Sequence, residues 1–492
     1  MDEIRSSKIQ RPVALDLEID PGLPISLHQQ ILGQLRSRIT SGLLQQGTRL
    51  PATRDLAAAL GVTRNTIVNV YDRLTGEGMM EGSGRHGTFV AAIGDIPVAA
   101  ENARKKDRPV LLPQEALDDV PASSPTFDWM PGQTMVRSLP STAWRNACRR
   151  IGRNVPPADH GDPQGDPGLR KAISRWLANN RCLQATPEQI LITRGSGDFL
   201  RLVAQVLVQP ADICAVEDPG HALVCDVFSE AGARLQHVPV DADGMEVAQA
   251  FGTHIMPALV HITPSHQYPM GARLSLKRRR ELADLAQRNG TLILENEYGC
   301  EFVYEGRDFP PLYSMAPANT ILIGTFANTT TPALRLGFAV APLGAVTRLV
   351  RMVDRYHAQP SWAAQKIIEE LILSGDLDRH VRRSQRHYDA LRKIVRERLE
   401  PYQNLISVLG DIGGLHVVLR GKDSVTDAAL QRALTHHAVK FLPIAKLQNQ
   451  TAGNEGLVFG YGHMDLPLLH ASLDLIERCL EALLSIGSIG NA

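Results

Sequence analysis

The sequence predicts a two-domain protein, in which a small helical module with a β-hairpin precedes a larger α/β domain with a mainly parallel sheet. Two observations support this prediction. Short helical patterns fill residues 27–76, and short apolar runs alternate with helical stretches beyond residue 127. Between them, residues 91–126 are rich in proline and lack a hydrophobic period, which is typical of a linker. We therefore expect domains at 1–90 and 127–492, with a smaller α+β subdomain from about residue 365.

Composition narrows the class of protein. The 492 residues are 43% hydrophobic and 21% charged with a formal net charge of zero, as in ordinary globular proteins. No stretch approaches the roughly 20 apolar residues that span a bilayer. The six cysteines include no Cys-x-x-Cys pair, so no metal site is expected. We expect a cytoplasmic protein without a targeting segment or a membrane partner.

The first helix is predicted from apolar residues spaced four apart. Leu27, Ile31, Leu35 and Ile39 form one stripe, and Gly42 ends the pattern. Its polar faces carry glutamine and arginine. This amphipathic pattern predicts a helix that packs on the rest of a small domain.

Two further helices are predicted close together. Thr53 is expected to cap the second, Gly61 ends it, and Thr63 caps the third. The third helix has a buried face of Ile67, Tyr71 and Leu74. Two helices joined by a short glycine-containing turn, with hydrogen-bonding residues at the start of the second, have the geometry that enters a DNA major groove.

Residues 80–90 predict a hairpin with a glycine-rich tip, which fits a wing beside the helices. We expect Arg54 and the wing to contact phosphates, and the start of the third helix to contact bases. The full set of expected DNA contacts is Arg54, Thr63, Arg64, Asn65, Thr66, Asn69, Arg85, His86 and Gly87. Periodicity alone also fits a three-helix packing module with a solvated polar face.

A resemblance separates these two interpretations. Leu-Pro-Ala-Thr-Arg at 50–54, Leu-Gly-Val-Thr-Arg-Asn-Thr at 60–66 and Gly-Arg-His-Gly-Thr-Phe-Val at 84–90 resemble the winged-helix domain of GntR-type bacterial regulators. The resemblance implies a winged helix-turn-helix that binds double-stranded operator DNA.

The larger domain is predicted from six apolar runs. They lie at 190–193, 213–216, 258–262, 291–294, 321–323 and 337–340. In α/β sheets, ligands bind at the carboxyl ends of the strands. Here those ends carry Ser196, Asp218, His266, Asn296 and Asn328, and we expect one pocket to collect them.

Five stretches in order carry a second resemblance. They are Gly-Asp-Pro-Gln-Gly at 161–165, Glu-Asp-Pro-Gly at 217–220, Thr-Pro-Ser-His-Gln-Tyr-Pro-Met-Gly at 263–271, Glu-Asn-Glu-Tyr at 295–298 and Gly-Thr-Phe-Ala-Asn at 324–328. They resemble the fold-type I aminotransferase-like domain of MocR-type regulators. That resemblance implies a homodimer in which pyridoxal 5′-phosphate (PLP) in this domain reports an effector to the DNA-binding domains.

The chain departs from this family where the cofactor chemistry lies. Asn328 stands at the position of the lysine that forms the Schiff base, and Asn296 at that of the aspartate facing the pyridine nitrogen. His160 and His221 replace aromatic residues. The groups that the resemblance assigns to the phosphate and the ring hydroxyl remain: Gly195, Ser196, Gly197, Thr325, Arg335 and Tyr298.

The sequence therefore predicts a DNA-binding regulator whose large domain is a pseudo-enzyme with no catalytic residue. A carboxamide cannot condense with an aldehyde, so no covalent PLP aldimine is expected; non-covalent PLP or another small effector stays open, with His221 and His266 also lining the pocket. Two alternatives remain: a PLP-dependent aminotransferase with an appended DNA-binding domain, and a DNA-binding dimer with a purely structural large domain. Arg335 also fits the role of a structural ion-pair partner. His221 and His266 also fit a pocket wall that does not contact a ligand. Asn296 and Asn328 also fit positions that have changed without a function.

Overall fold

A computed structural model describes residues 13–23, 25–82, 87–92, 127–135, 141–252, 255–305, 309–422, 426–449 and 455–489. The chain divides into two compact units, Met1–Val120 and Pro121–Ala492. Most of the predicted linker lies outside the described residues, as do Arg85 and His86 of the expected wing tip.

The N-terminal unit contains three helices and a hairpin. They are α1 (Leu27–Thr40), α2 (Thr53–Leu60), α3 (Arg64–Gly76), β1 (Met80–Gly82) and β2 (Thr88–Val90). The two strands pair antiparallel, with Met80 opposite Val90. The predicted apolar faces of α1 and α3 meet in one buried core. The winged helix-turn-helix predicted from the sequence is confirmed.

The helix caps agree with the sequence in one case and not in the other. The Thr63 hydroxyl accepts a hydrogen bond from the Thr66 N–H at 3.3 Å, as predicted for the start of α3. The prediction for Thr53 was wrong, because Ala52 is the extended residue before α2 and Thr53 is already helical. From inside the first turn its hydroxyl no longer has the position of a cap.

Gly61 forms the turn of the helix-turn-helix and has φ of +66°. We expect Gly61→Ala to lower the free energy of unfolding of the N-terminal unit by about 1 kcal/mol, because a Cβ strains left-handed backbone. The matched control is Gly33→Ala, an exposed helical position of α1 with open space around a Cβ, which should instead raise it by about 0.5–1 kcal/mol. Thermal unfolding of both variants tests the prediction, and equal shifts would contradict it.

The second unit begins with alternating helices and strands. Its elements up to residue 355 are β3 (Phe127–Asp128), α4 (Ser141–Ile151), α5 (Pro167–Arg181), β4 (Ile190–Thr193), α6 (Ser196–Leu207), β5 (Ile213–Asp218), α7 (Ala222–Glu230), β6 (Arg234–Asp241), β7 (Gly244–Met245), α8 (Val247–Ala250), β8 (Leu259–Ile262), α9 (Leu276–Asn289), β9 (Leu292–Asn296), α10 (Leu312–Met315), β10 (Thr320–Thr325), β11 (Gly337–Val340) and α11 (Leu343–Arg355). Those that follow are α12 (Trp362–Leu373), α13 (Asp376–Leu399), β12 (Ile406–Leu409), β13 (His416–Gly421), α14 (Asp427–His436), β14 (Val439–Lys440), β15 (Leu442–Pro443), β16 (Leu457–Gly460) and α15 (Leu466–Ile489).

Eight strands form one twisted sheet in the order β4-β11-β10-β9-β8-β5-β6-β7. Only β11 and β7 pair antiparallel with their neighbours, so the sheet is mainly parallel, as predicted. All six apolar runs became strands of it. Successive residues alternate between two cores: Ile321 and Ile323 belong to one, and Leu322 to the other. Helices on both faces explain why these strands are apolar throughout.

A second, antiparallel sheet of order β12-β13-β16-β15 forms the smaller subdomain, with α13, α14 and α15 packed on it. Its expected start near residue 365 needs correction. Ile368 and Leu371 of α12 pack in the core around α4 and α5. The core of the smaller subdomain includes residues of α13 only from Tyr388 onward. The change of core therefore falls inside α13. Within the described ranges, no helix is long and apolar enough to cross a membrane.

Candidate functional site

The first turn of α3 presents polar groups to solvent. Arg64 and Asn65 are exposed there, and Asn69 is exposed one turn later. Arg54 is exposed on α2. These are four of the residues predicted to contact DNA.

Three other predicted contacts have roles inside the domain. Thr63 and Thr66 share a hydrogen bond between their hydroxyls at 2.9 Å, so both help to close the N-terminus of α3. Gly87 has φ of +109°, and a Cβ there would lie 3.2 Å from the Arg49 Nε. Arg49 therefore lies beside the wing, a position that no sequence pattern had indicated.

Positive charge at the opposite end of α3 is neutralised. Glu77 accepts from Arg36 at 2.7 Å and from Arg73 at 2.9 Å. Both belong to the seven arginines between residues 27 and 90, a range with only four acidic residues. The two ends of α3 thus differ: Arg64 is exposed at its N-terminal end, whereas Arg73 near its C-terminal end is paired with Glu77.

In the second unit, three strand ends meet at one corner of the large sheet. Thr325 at the end of β10 lies opposite Gly337, which in turn lies opposite Thr193 at the end of β4. A Cβ on Gly337 would lie 2.7 Å from the Gly324 carbonyl oxygen and 3.0 Å from the Thr193 hydroxyl, so only glycine fits. This corner collects the residues predicted to bind a phosphate, which are Gly195, Ser196, Gly197, Thr325 and Arg335.

The groups at this corner suit an anion. Gly195 directly precedes α6, whose first-turn N–H groups belong to Ser196 and Gly197. Arg335 is exposed, adopts left-handed backbone at φ 48° and has no ion-pair partner among the residues described. The structural ion pair considered for Arg335 is therefore absent within that part of the chain. The Thr193 hydroxyl is buried and also lacks a hydrogen-bond partner there.

Asn296 and Asn328 lie next to this corner. Asn296 is the last residue of β9 and pairs in register with Ile323 of β10, which leads to Asn328. Their side chains are only 7% and 6% exposed. In the described chain, the Asn328 Nδ2 has no hydrogen-bond partner. A buried donor without a partner is rare in folded proteins, so the Asn328 amide is suited to donate to a bound ligand.

A wall of aromatic rings joins the two subdomains. His266 lies 5.1 Å from His416 and 6.4 Å from Tyr298, and Tyr268 lies 5.6 Å from Tyr298 and 5.5 Å from His221, measured between ring centroids. Burial lowers the pKa of His416 to about 4 and the pKa values of His266 and His221 below their usual range. At neutral pH these histidines are uncharged, so the wall supplies neutral hydrogen-bonding groups.

Several of these rings have unused polar atoms. Both nitrogens of His266, the Nδ1 of His221 and the hydroxyl of Tyr298 are buried with no partner within the described ranges. Tyr268 and His416 were missed from the sequence. Tyr268 stood within a quoted motif, but nothing local marked His416, which comes from β13 of the smaller subdomain.

Asp218 differs from these residues because its buried carboxylate has a hydrogen-bond partner. It is 1% exposed, and its Oδ1 accepts a hydrogen bond from the Asn449 N–H at 3.0 Å. Gly220 donates to the Leu447 carbonyl oxygen at 3.0 Å. The end of β5 therefore holds the segment at 447–449 in place, and Asp218 was expected in the pocket only because of its position after a strand.

Glu217, its neighbour, provides a test of pH dependence. It is 3% exposed, and burial raises its pKa to about 7 although Thr263 donates to it at 2.5 Å. In the unfolded chain this carboxyl group ionises at a lower pH. Its burial therefore lowers the free energy of unfolding as pH rises from about 4.5 to 7. The free energy of unfolding of Glu217→Gln, relative to that of wild type, should therefore increase by on the order of 2–3 kcal/mol between pH 5 and pH 8.5. Denaturant unfolding of both proteins at the two pH values measures this difference, and Glu230→Gln, at an exposed position, is the control. A difference that does not change with pH would contradict the prediction.

The residues around Asn328 fit PLP in part. Ser196, Thr325, Arg335 and the start of α6 suit its phosphate, and Tyr298 offers a hydroxyl to its ring. Position 328 supplies no amine. Lys366, the next lysine along the chain, is engaged by Asp166 at 2.9 Å and Glu369 at 2.8 Å. The described residues thus fit a ligand held by hydrogen bonds and charge.

Comparisons with known proteins cover both units. Residues 27–90 match the model of bacterial regulatory proteins of the gntR family, and residues 132–451 match aminotransferase class I and II. The probable rhizopine catabolism regulatory protein MocR of Rhizobium meliloti is 28% identical over 487 residues, 96% of this chain and 97% of that protein. The HTH-type pyridoxine biosynthesis transcriptional regulator PdxR of Corynebacterium glutamicum is 33% identical over 458 residues, 92% of this chain and 95% of that protein. The chain belongs to the MocR-type regulators of the GntR family.

The fold of this MocR-type regulator is also shared with solved enzymes. The α-aminoadipate aminotransferase LysN from Thermus thermophilus superposes with a TM-score of 0.67 over 73% of this chain and 93% of that chain, at 22% identity. That likeness shows the fold alone. The regulator therefore carries a DNA-binding helix-turn-helix and an aminotransferase-like domain, and the predicted class of transcription regulator is confirmed.

Proposed function

We propose that this MocR-type regulator is a homodimer that binds operator DNA and senses a small phosphorylated ligand without bonding to it covalently. In this proposal the aminotransferase-like domain performs no catalysis. The observation that carries it is the buried amide of Asn328, which has an unused donor where the family resemblance implies a Schiff-base lysine.

For DNA binding, we assign base contacts to Arg64, Asn65 and Asn69, which are exposed in the first two turns of α3. Arg54 on α2 contacts phosphate, together with the wing. Two copies of the chain place two α3 helices on paired half-sites. Ligand occupancy shifts the affinity for DNA only if the ligand binds the two arrangements of the dimer unequally.

For the pocket, each retained or replaced group has a distinct consequence. PLP, when bound, supplies an electrophilic aldehyde and a ring that withdraws electrons. Asn328 offers hydrogen bonds and no nucleophilic amine, and Asn296 offers a neutral amide where a carboxylate would hold a proton on the ring. Ser196, Thr325 and Arg335 still bind the phosphate. The pocket therefore binds and orients a ligand but does not activate it.

The test has two parts on the purified full chain. After incubation with PLP and borohydride, intact mass and peptide mapping should show no stoichiometric adduct at a single lysine. Thermal unfolding with PLP and pyridoxamine 5′-phosphate should show a midpoint that rises with ligand concentration. A site-specific adduct or amino-group transfer would establish the aminotransferase alternative, and the absence of any stabilisation would favour a purely structural domain.

A further inference from the structure

A cavity of about 330 Å³ is lined by none of the residues of the Asn328 site. It lies between the C-terminal end of α5, the segment that follows Tyr298 and the first turns of α13. Its polar walls include Arg181, Glu301, Asp378 and Arg382. A volume of this size suits a small organic molecule.

Two of these charged residues already form hydrogen bonds with neighbouring side chains. Arg181 donates to Glu297 at 2.7 Å. Asp378 accepts from the Trp176 indole N–H at 2.8 Å. These pairs form part of the wall. Glu301 and Arg382 also line the cavity, and neither has an ion-pair partner within the described part of the chain.

Glu301 and Arg382 have opposite charges and no mutual ion pair. The Glu301 Oε2 is buried and has no hydrogen-bond partner among the residues the structure describes. Arg382 is an exposed lining residue and takes part in no ion pair within them. A buried carboxylate oxygen without a donor is unfavourable, and a bound cation relieves that cost.

The surroundings of Glu301 leave it available to such a cation. Burial, with a smaller contribution from the neighbouring Glu297, raises its pKa to about 6, although its own backbone, Arg181 and the Cys300 thiol act in the opposite direction. From α13, Arg382 and the engaged Asp378 complete the charged groups that line the cavity. The carboxyl group is therefore mostly ionised above neutral pH.

We propose that this cavity binds a small zwitterion, an amino acid or related amino compound, with its ammonium group on Glu301 and its acid group on Arg382. Three donors of an ammonium group match an acceptor that lacks one, and the planar guanidinium of Arg382 matches a carboxylate. This site is separate from the phosphate site, and its recognition of a zwitterion holds whichever ligand the phosphate site takes.

The cavity is linked to the Asn328 site through its walls. Arg181 contacts Glu297, which stands between Asn296 and Tyr298 in the chain. On α13, burial lowers the pKa of His380 to about 4, and the backbone of Thr329, the residue after Asn328, lies near enough to act in the opposite direction. A ligand in the cavity therefore contacts the two elements that also hold the Asn328 site, which is the arrangement needed for one ligand to change the affinity of the other.

The experiment is calorimetric and thermal titration of the full chain with two isomeric probes, 5-aminopentanoate and norvaline, and with pentylamine and pentanoate as matched singly charged probes. We expect saturable binding of at least one zwitterion, with both singly charged probes weaker by about 10-fold or more. Equal binding of pentylamine would overturn the proposal by showing that the acid group is not recognised. No binding of either zwitterion would overturn it by identifying the cavity as a hydrated void.

Variants localise the effect. Glu301→Gln and Arg382→Gln should each weaken the zwitterion by about 10-fold or more, because each removes one charge of the pair. Arg383→Gln changes the next residue of α13, which does not line the cavity, and should leave binding unchanged. Glu301→Gln removes a charge that is costly to bury, so the unliganded variant should unfold no earlier than wild type at pH 8. If neither charge variant weakened binding, the probe would be bound elsewhere and the proposal would be wrong.

Discussion

Replacing Asn328 with lysine is expected to make the large unit hold PLP covalently, from no specific adduct to on the order of one per chain. The site is 6% exposed, so the lysine pKa should fall and a free amine should be present at neutral pH. Borohydride reduction followed by intact mass and peptide mapping measures the adduct. The retained phosphate-binding residues, Ser196, Thr325 and Arg335, should hold PLP with its aldehyde near residue 328.

The control for this variant is Asn328→Gln, which keeps an amide and should form no adduct. The lysine should also lower the free energy of unfolding without ligand, because burying an amine is unfavourable, and PLP should restore part of the loss. If PLP stabilised the lysine variant but no adduct mapped to residue 328, that side chain would not face the ligand. The assignment of Asn328 to the pocket would then fail.

Replacing Arg64 with alanine is expected to weaken binding to specific DNA by about 1–3 kcal/mol, roughly 10-fold to more than 100-fold. Arg64 is the first residue of α3 and exposed, so its guanidinium is free to reach a base edge. The probe is a duplex that the wild-type chain selects from a random pool, and the measurement is affinity for it and for duplexes with single substitutions. Sequence preference should relax at one base pair in each half-site.

Two other arginines provide the contrast. Arg54→Ala should weaken all duplexes alike and reduce the slope of log affinity against log salt by about one for each phosphate that is no longer neutralised. Arg73 lies nine residues further along α3, about 14 Å along its axis, and is paired with Glu77. Arg73→Ala should therefore leave the affinity for DNA unchanged. If Arg73→Ala weakened binding as much as Arg64→Ala, α3 would not lie with its N-terminal end in the groove.

Much of the fold could be predicted because its signals are local. The six apolar runs became strands, since a strand covered by helices on both faces must be apolar at every position. The cap at Thr63 was predicted from its place before a polar first turn. β6 was missed because it mixes polar with apolar residues, and Thr53 was misassigned because helix ends are uncertain by one residue from sequence alone.

The sequence by itself determined the chemistry available at each position: an amide at 328 and at 296, a helix-turn-helix ahead of a mainly parallel sheet, and a preserved set of anion-binding groups. Only the tertiary structure decided which of these groups are left without partners. His416 reaches His266 from another subdomain, and Glu301 shares a cavity with Arg382 of α13. Such contacts depend on how whole elements pack, because residues far apart in the chain meet only after their helices and strands have been placed, and no local pattern encodes that distance.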